Sequence, residues 1–494
     1  MPFLILMFLA GFLVRLYRFD GPVADWHSFR QGDTNAVSAI FARDGIDLLH
    51  PKYFDISNVQ SGFDNPNGFR MVEFPIYNAI QVFLYKILAP VGFTLVEAGR
   101  LISILSTLGG AFCVYLLVKK YSNEIAGIAS AFFYLFLPFS IFYGRTILAD
   151  PSMAASVLAG IYFFGKWMEG VGDTNKKRTH TKYQILNTKY FILAVLFTAL
   201  SFLLKPYALF FTLPMVWIAW NKFGIKIFKH WQLYLFAILS LTPLIFWRKW
   251  IGQYPEGIPV SDWLFNGNGI RFRPSFFKWI FYERITKLIL GYVGVVFLFF
   301  GFWPPALEGL PPGGGLVKNK NWGFFASFAI SSLAYLVVIA TGNVQHDYYQ
   351  ILIVPTISIF AGVGVSYLLE RFKKNQFLQF QVYILIGAAI LIGWVSVKDY
   401  FNINDWGMVA AAEKANEILP KDAKVITPYD GSTVFLNLTQ RNGWPVFEHD
   451  IDTLIGMGAE YMVIANPTKN DLEGFGKEYK QVASSSSYLI LKLK

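Results

Sequence analysis

The sequence predicts a polytopic α-helical membrane protein with a large first extramembrane loop and a carboxyl-terminal α/β module. Three observations carry that prediction. Of the 494 residues, 54% are hydrophobic, 18% aromatic and only 15% charged, and the mean hydropathy is positive. That is more apolar surface than one soluble core can hide. The apolar residues gather in runs long enough for spanning helices, about 20 residues each, rather than alternating every second residue as barrel strands do. Basic residues cluster in short connections between those runs, so the net charge of +11 reads as membrane topology, and no nucleic acid is expected as a partner. The single cysteine, Cys113, lies inside an apolar run and excludes a disulfide framework.

Residues 1–13 are apolar and are followed by Arg15 and Arg18. They lack the charged start and small-residue cleavage site of a signal peptide, so they read as the first helix, completed by the stem of Arg15 reaching the interface. An outer loop over residues 15–98 follows, punctuated by proline and glycine. Within it, residues 35–43 read as a short helix after Thr34. Residues 76–88, with apolar positions interrupted by Asn78, Gln81 and Lys86, read as a helix lying in the interface. Ten longer runs come next, near 99–118, 124–143, 151–168, 189–204, 206–220, 232–249, 284–303, 323–341, 350–370 and 380–397, giving eleven spans with the first helix.

With the amino terminus inside, every inner connection is basic. Lys119 and Lys120 are followed by Lys176, Lys177, Arg178, Lys182 and Lys189, then by Lys222, Lys226 and Lys229, by Lys318 and Lys320, and by Arg371, Lys373 and Lys374. The outer turns at 144–150 and 342–349 hold one basic residue, Arg145, and the odd span count leaves the carboxyl terminus outside. One outer segment departs from this trend. Residues 248–287 carry Arg248, Lys249, Arg271, Arg273, Lys278, Arg284 and Lys287 among Trp250, Trp263 and Trp279. An interfacial anchor and a cradle for an anionic head group both fit that composition.

Residues 1–403 are therefore read as a transmembrane domain and 404–494 as an outer α/β domain. Residues 406–419 have an amphipathic helical pattern ended by Pro420. Short β-type runs follow at 424–427, 433–438, 461–465 and 488–493, separated by Gly, Pro, Asn and Ser.

Candidate chemistry lies at outer helix ends. Asp33 sits after Trp26, His27 and Phe29 and before an expected helix start, where an N-cap role competes with catalysis. Glu73, between Val72 and Phe74, would be suited to proton transfer if burial raised its pKa, or held charged if it paired with Arg70. Arg145 and Asp150 face each other across one turn, either as a structural pair with Asp150 capping the helix begun by Pro151, or with Arg145 gripping phosphate. Lys205 lies between Leu204 and Pro206, where a lysine is costly unless it reaches water or an anion. Gln345, His346, Asp347, Tyr348 and Tyr349 form a polar corner able to bind a sugar or a metal. There is no P-loop and no HExxH. Gly313, Gly314 and Gly315 read as a flexible turn, and no nucleotide or organic cofactor is expected.

In order and placement, five stretches resemble the GT-C glycosyltransferases, and more narrowly the bacterial family 39 type related to protein O-mannosyltransferases and ArnT-like transferases. They are His27 to Thr34, Glu73 to Tyr77, Tyr143 to Pro151, Leu204 to Pro206, and His346 to Tyr349. The outer module, with Arg441, Asn442, Gly443 and Trp444, also resembles modules of that group. The resemblance implies a multi-pass protein of the bacterial cytoplasmic (inner) membrane, with its active site and outer domain extracytoplasmic. It would transfer a sugar, with inversion, from a polyprenyl-phosphate donor to a hydroxyl of a lipid, glycan or protein acceptor. Asp33 then matches the base and Glu73 the second acidic position. Arg145, Lys205, Arg271, Arg273, His346, Tyr348 and Tyr349 would serve the donor phosphate, and His27, Arg30, Arg70, Tyr77, Asp150 and Asp347 would line the substrate site. Such enzymes often carry an Asp-Glu pair in the first loop. Here Thr34 follows Asp33, which leaves the divalent metal that some of them use without its usual ligand pair. A lipid-linked-sugar transporter and a non-catalytic membrane binding protein are the competing readings.

Overall fold

A computed structural model describes residues 2–171, 180–302 and 321–494, with only the backbone at 180–186. Lys176, Lys177, Arg178, the glycines 313–315, Lys318 and Lys320 lie outside the described residues.

The chain opens with α1 (Pro2–Leu13). Arg15, just beyond it, does not reach outward to an interface as expected. It is fully buried, donating to the Gly11 carbonyl at 2.7 Å and the Ser140 carbonyl at 3.2 Å, and so ties the end of α1 to a later helix. The loop then contains α2 (Ser28–Asp44), ended by Gly45 at φ 100°, and α3 (Ile76–Leu88). The helix expected at residues 35–43 thus begins seven residues earlier, at Ser28. On α3, Tyr77, Asn78, Gln81 and Val82 face inward while Ile80, Phe83 and Ile87 are exposed, the one-sided pattern expected of an interfacial helix.

A long helical bundle follows. It comprises α4 (Leu95–Tyr121), α5 (Glu124–Phe136), α6 (Pro138–Tyr143), α7 (Ala149–Gly170), α8 (His180–Leu204), α9 (Leu213–Phe223) and α10 (Trp231–Ile251). The local chemistry fits these limits. Thr94 and Glu97 form a capping box at the start of α4, Asn123 caps α5, and Pro138 opens α6 at a break. After the short α11 (Trp263–Asn266) and α12 (Pro274–Phe277) comes a π-helical stretch, Lys278–Ile289. Then come α13 (Val295–Phe302), α14 (Trp322–Val338), α15 (Ala340–Gln345), α16 (Val354–Arg371) and α17 (Gln376–Val397). Every apolar run read from the sequence falls mainly on helix in its described part, the run at 284–303 being interrupted by a turn at 290–294. Among the described residues, four segments are long and apolar enough to cross a membrane: Leu95–Tyr121, Asn187–Leu204, Pro206–Lys229 and Gln376–Ile418.

The last ninety residues hold a five-stranded sheet of order β2-β1-β3-β5-β4. Its strands are β1 (Val425–Ile426), β2 (Gly443–Trp444), β3 (Tyr461–Ala465), β4 (Lys480–Ser484) and β5 (Tyr488–Lys492). β2, β1 and β3 are parallel, and β5 runs antiparallel to both its neighbours. Helix α18 (Trp406–Ile418), capped by Asp405, packs on the sheet. The run at 433–438, expected as a strand, is instead helix α19 (Val434–Thr439). Its apolar residues Val434, Phe435 and Leu436 are buried on successive faces, which a six-residue helix wedged between α2 and α18 allows and a half-buried, period-two strand does not.

Among the described residues four apolar clusters form, and the two largest matter most for the site. One runs through the bundle. The other joins Ala36, Val37, Ile40 and Phe41 of α2 to Met408, Val409, Ala412, Val434 and Phe435 of the module, so the first loop and the carboxyl-terminal sheet share a single interior. Each of the buried Val, Ile, Phe and Met side chains stabilises the joint by about 1.5–3 kcal/mol. Asp55 extends the joint as an isolated parallel bridge to Gly443.

Candidate active site

Where α2, α3, α7 and the end of α8 meet, the structure gathers three carboxylates and three cations. Asp33 is 3% exposed and lies inside α2, not at its cap; the cap position is His27, whose backbone is left-handed at φ 54°. The capping reading of Asp33 therefore fails. Its Oδ2 accepts from Arg70 Nη2 at 2.6 Å, with Arg30 at 3.7 Å, and its Oδ1 accepts from Thr433 Oγ1 at 2.5 Å. Glu73 does not pair with Arg70. It binds Arg30, one turn before Asp33, and lies 3.8 Å from Lys205. Burial by itself would push the Glu73 carboxyl up, but Arg30 and then Lys205 outweigh it and hold it down at about 2. Of the two readings open to Glu73, the geometry favours the carboxylate that stays charged, with Arg30 rather than Arg70 as its partner.

Lys205 is 6% exposed and stands 3.0 Å from Asp150, which is itself buried. Helix α7 begins at Ala149, so Asp150 is not a cap for Pro151. Nor does it pair with Arg145. That arginine turns to Asp25 at 3.0 Å and to the Arg18 carbonyl, close to Arg100, and is buried away from Lys205. Arg30, Asp33, Arg70, Glu73, Tyr77 and Ala149 line a cavity of about 20 Å³, room for one water. Tyr77 anchors α3 by donating to the Gly99 carbonyl at 2.8 Å.

The polar corner forms a second centre. Asp347 is fully buried and accepts from Tyr143 at 2.5 Å, Tyr400 at 2.6 Å and Trp26 at 3.2 Å, with His27 Nδ1 at 3.0 Å and Arg284 at 3.8 Å. The hydrogen bonds from His27, Tyr143 and Tyr400 outweigh burial and hold this carboxyl well below the usual range. Rings join the two centres. His27 lies 5.7 Å from His346 and 5.4 Å from Tyr348, and Lys205 Nζ sits 5.7 Å and 5.8 Å from the Tyr348 and Tyr349 rings. Burial pushes the His346 imidazole down to about 4.

Of the sequence candidates, the structure brings together Asp33, Glu73, Arg30, Arg70, Tyr77, Asp150, Lys205, Tyr348 and Tyr349, with His27, His346 and Asp347 adjoining. It does not bring in Arg145, Arg271 or Arg273. Arg271 donates to the Phe265 and Val338 carbonyls, and Arg273 is exposed. From that basic segment it is Arg284 that reaches the polar corner. Sequence reasoning missed Thr433, Tyr400 and Asp25. Thr433 stood in an expected strand about 400 residues from its partner, and no local signal marks it.

Three side chains with metal-binding chemistry, Asp64, Glu448 and His449, lie within 4.8 Å of one another between the loop and the module. The cleft itself fits a divalent ion poorly, because each of its carboxylates already faces a cation.

No family model and no curated protein matches the chain. Solved structures do. ArnT from Cupriavidus metallidurans in the apo state aligns with a TM-score of 0.66 over 99% of this chain and 98% of that one, at 12% identity. The same protein bound to undecaprenyl phosphate gives 0.63 over the same shares at 11% identity. The Archaeoglobus fulgidus oligosaccharyltransferase in complex with zinc and sulfate gives 0.57, at 12% identity, over 96% of this chain and 69% of that one. The fold is the one shared by ArnT and the Archaeoglobus oligosaccharyltransferase. It spans the first loop, the helical bundle and the carboxyl-terminal sheet together, as the near-complete coverage of ArnT requires.

Proposed function

We propose that this protein is an eleven-span glycosyltransferase of a bacterial cytoplasmic membrane, with residues 1–403 as its transmembrane domain and both the cleft and residues 404–494 outside. It moves a sugar from a polyprenyl-phosphate-linked donor to a hydroxyl of a lipid, glycan or protein, with inversion. The observation that carries the reading is the buried chain of charges from Asp33 through Arg70, Arg30 and Glu73 to Lys205, at the outer ends of helices in a GT-C fold. An apolar groove of about 320 Å³ adds support. Phe202 and Leu209, which flank Lys205 in sequence, line it, and it continues past Met215 and Ala219 to Ile227, a suitable path for a prenyl chain. The ArnT structure bound to undecaprenyl phosphate is the matching precedent in a protein of like fold.

In this reading Asp33 takes the proton of the acceptor hydroxyl. The hydroxyl oxygen bonds to C1 of the sugar as the bond from C1 to the phosphate oxygen breaks, and the electron pair leaves with the phosphate. Proton removal contributes about 10²–10⁴-fold. Lys205 and Arg30 meet the charge that gathers on the leaving phosphate, and their worth is raised because both side chains are largely shielded from solvent. Glu73 and Asp150 hold those cations in place. The Asp64, Glu448 and His449 trio could bind a divalent ion, and no step here runs through one.

Purified protein in liposomes, given polyprenyl-phosphate-linked sugars and hydroxyl acceptors, should release polyprenyl phosphate in step with glycosylated product. Movement of the intact lipid-linked sugar across the bilayer without release would support a transporter instead. Mass spectrometry of envelope glycolipids and glycoproteins with and without the protein would identify sugar and acceptor.

A further inference from the structure

We infer that the carboxyl-terminal module takes part in the transfer itself, with Thr433 as a positioning residue for Asp33. This rests on the reading of Asp33 as the base. A carboxylate held by one donor swings easily, because the last torsion of an aspartate is broad and nearly two-fold. Here each oxygen has its own donor, Arg70 on Oδ2 at 2.6 Å and Thr433 on Oδ1 at 2.5 Å. The two fix the plane of the group and leave its remaining lone pairs for the incoming hydroxyl.

The hydroxyl of Thr433 is itself held in place. It stands immediately before α19, and α19 is pressed against α2 one residue from Asp33. A Cβ on Gly32 would stand 3.2 Å from the Val434 Cα, closer than backbone normally allows. One turn further along, Asn35 Nδ2 donates to Asn437 Oδ1 at 3.1 Å. Asp33, Thr433 and Asn437 are all at most 5% exposed, so the contact is an interior one and not an incidental touch between surfaces. The module therefore supplies part of the base's setting, in addition to whatever its outer face recognises.

The test compares Thr433→Val, Thr433→Ser and Asp33→Asn in reconstituted enzyme, with donor binding and melting temperature measured on each. Misplacing a reacting group by about 1 Å costs on the order of 10²-fold. Thr433→Val should accordingly lower kcat roughly 10- to 100-fold while leaving KM for the donor within about twofold. Thr433→Ser, which keeps the donor hydroxyl, should recover most of the rate. Should the valine variant fail to fold, Thr433→Ala against Thr433→Ser makes the same comparison. Serine and hydroxyl-free variants turning over equally fast would overturn the inference, as would a loss confined to KM. A fully active Asp33→Asn enzyme would instead overturn the reading of the base, so the two failures are distinct.

Discussion

Asp33 draws its partners from three separate places in the chain: Arg30 one turn earlier, Arg70 near the end of the loop, and Thr433 in the module. Replacement by asparagine keeps the shape and removes the basicity. Asp33→Asn should therefore fold normally and lose at least about 10²-fold in transfer, checked by product release from proteoliposomes. Under the proposed mechanism, Lys205→Ala should raise the dissociation constant for the donor, measured by direct binding, because the cleft loses a buried cation. Unchanged donor affinity would remove Lys205 from the site. His346 gives a pH test. Burial favours the neutral ring, with His27 and Arg284 adding to that and Asp347 opposing, so its value in the fold, about 4, lies below the ordinary 6.5. The stability it contributes is intact above pH 6.5 and is lost as the pH falls from 6.5 towards 4. The melting temperature of the wild type should thus drop more steeply over that window than that of His346→Phe, and parallel curves would contradict the assignment.

At the scale of elements, α2 is the piece whose limits decide the chemistry. The sequence offered a helix beginning after Thr34, with Asp33 outside it as a cap. The helix instead starts at Ser28, which puts Gln31, Asp33 and Asn35 in the interior. That start is built on a left-handed His27, a costly conformation for a residue other than glycine, so tertiary partners such as Asp347 must hold it. Such a feature has no trace in local propensity. α19 was misread for a related reason: six residues of mixed β-branched and aromatic character fit either period, and docking against α2 decides the helix. Gly32→Ala tests that docking. The added methyl meets the Val434 backbone at 3.2 Å, so about 1–3 kcal/mol of stability should be lost and protease should cut the loop more readily. An unchanged melting temperature would mean that the two helices are free to separate.

Taken as a whole, the molecule joins a membrane bundle to the carboxyl-terminal sheet through the first loop, which belongs to both cores. Under the proposed topology, reporter fusions at Asn175, outside the described residues, and at Ser432 should report opposite sides of the membrane; a same-side result would overturn it. The sequence by itself determined the class, the order of the helical runs, the helix of residues 406–418, and three of the five strands, because hydrophobic periodicity and caps are local properties written into neighbouring residues. It also singled out Asp33, Glu73, Lys205 and the corner at His346 to Tyr349, because charge beside an apolar run is costly and therefore conspicuous. Which charge meets which was decided only by the tertiary structure. Arg70 went to Asp33 and Arg30 to Glu73, Lys205 took Asp150, Arg145 left for Asp25, and Thr433 arrived from the far end of the chain. Pairing depends on distances between segments that are remote in sequence, and those distances exist only once the two cores have closed around the loop.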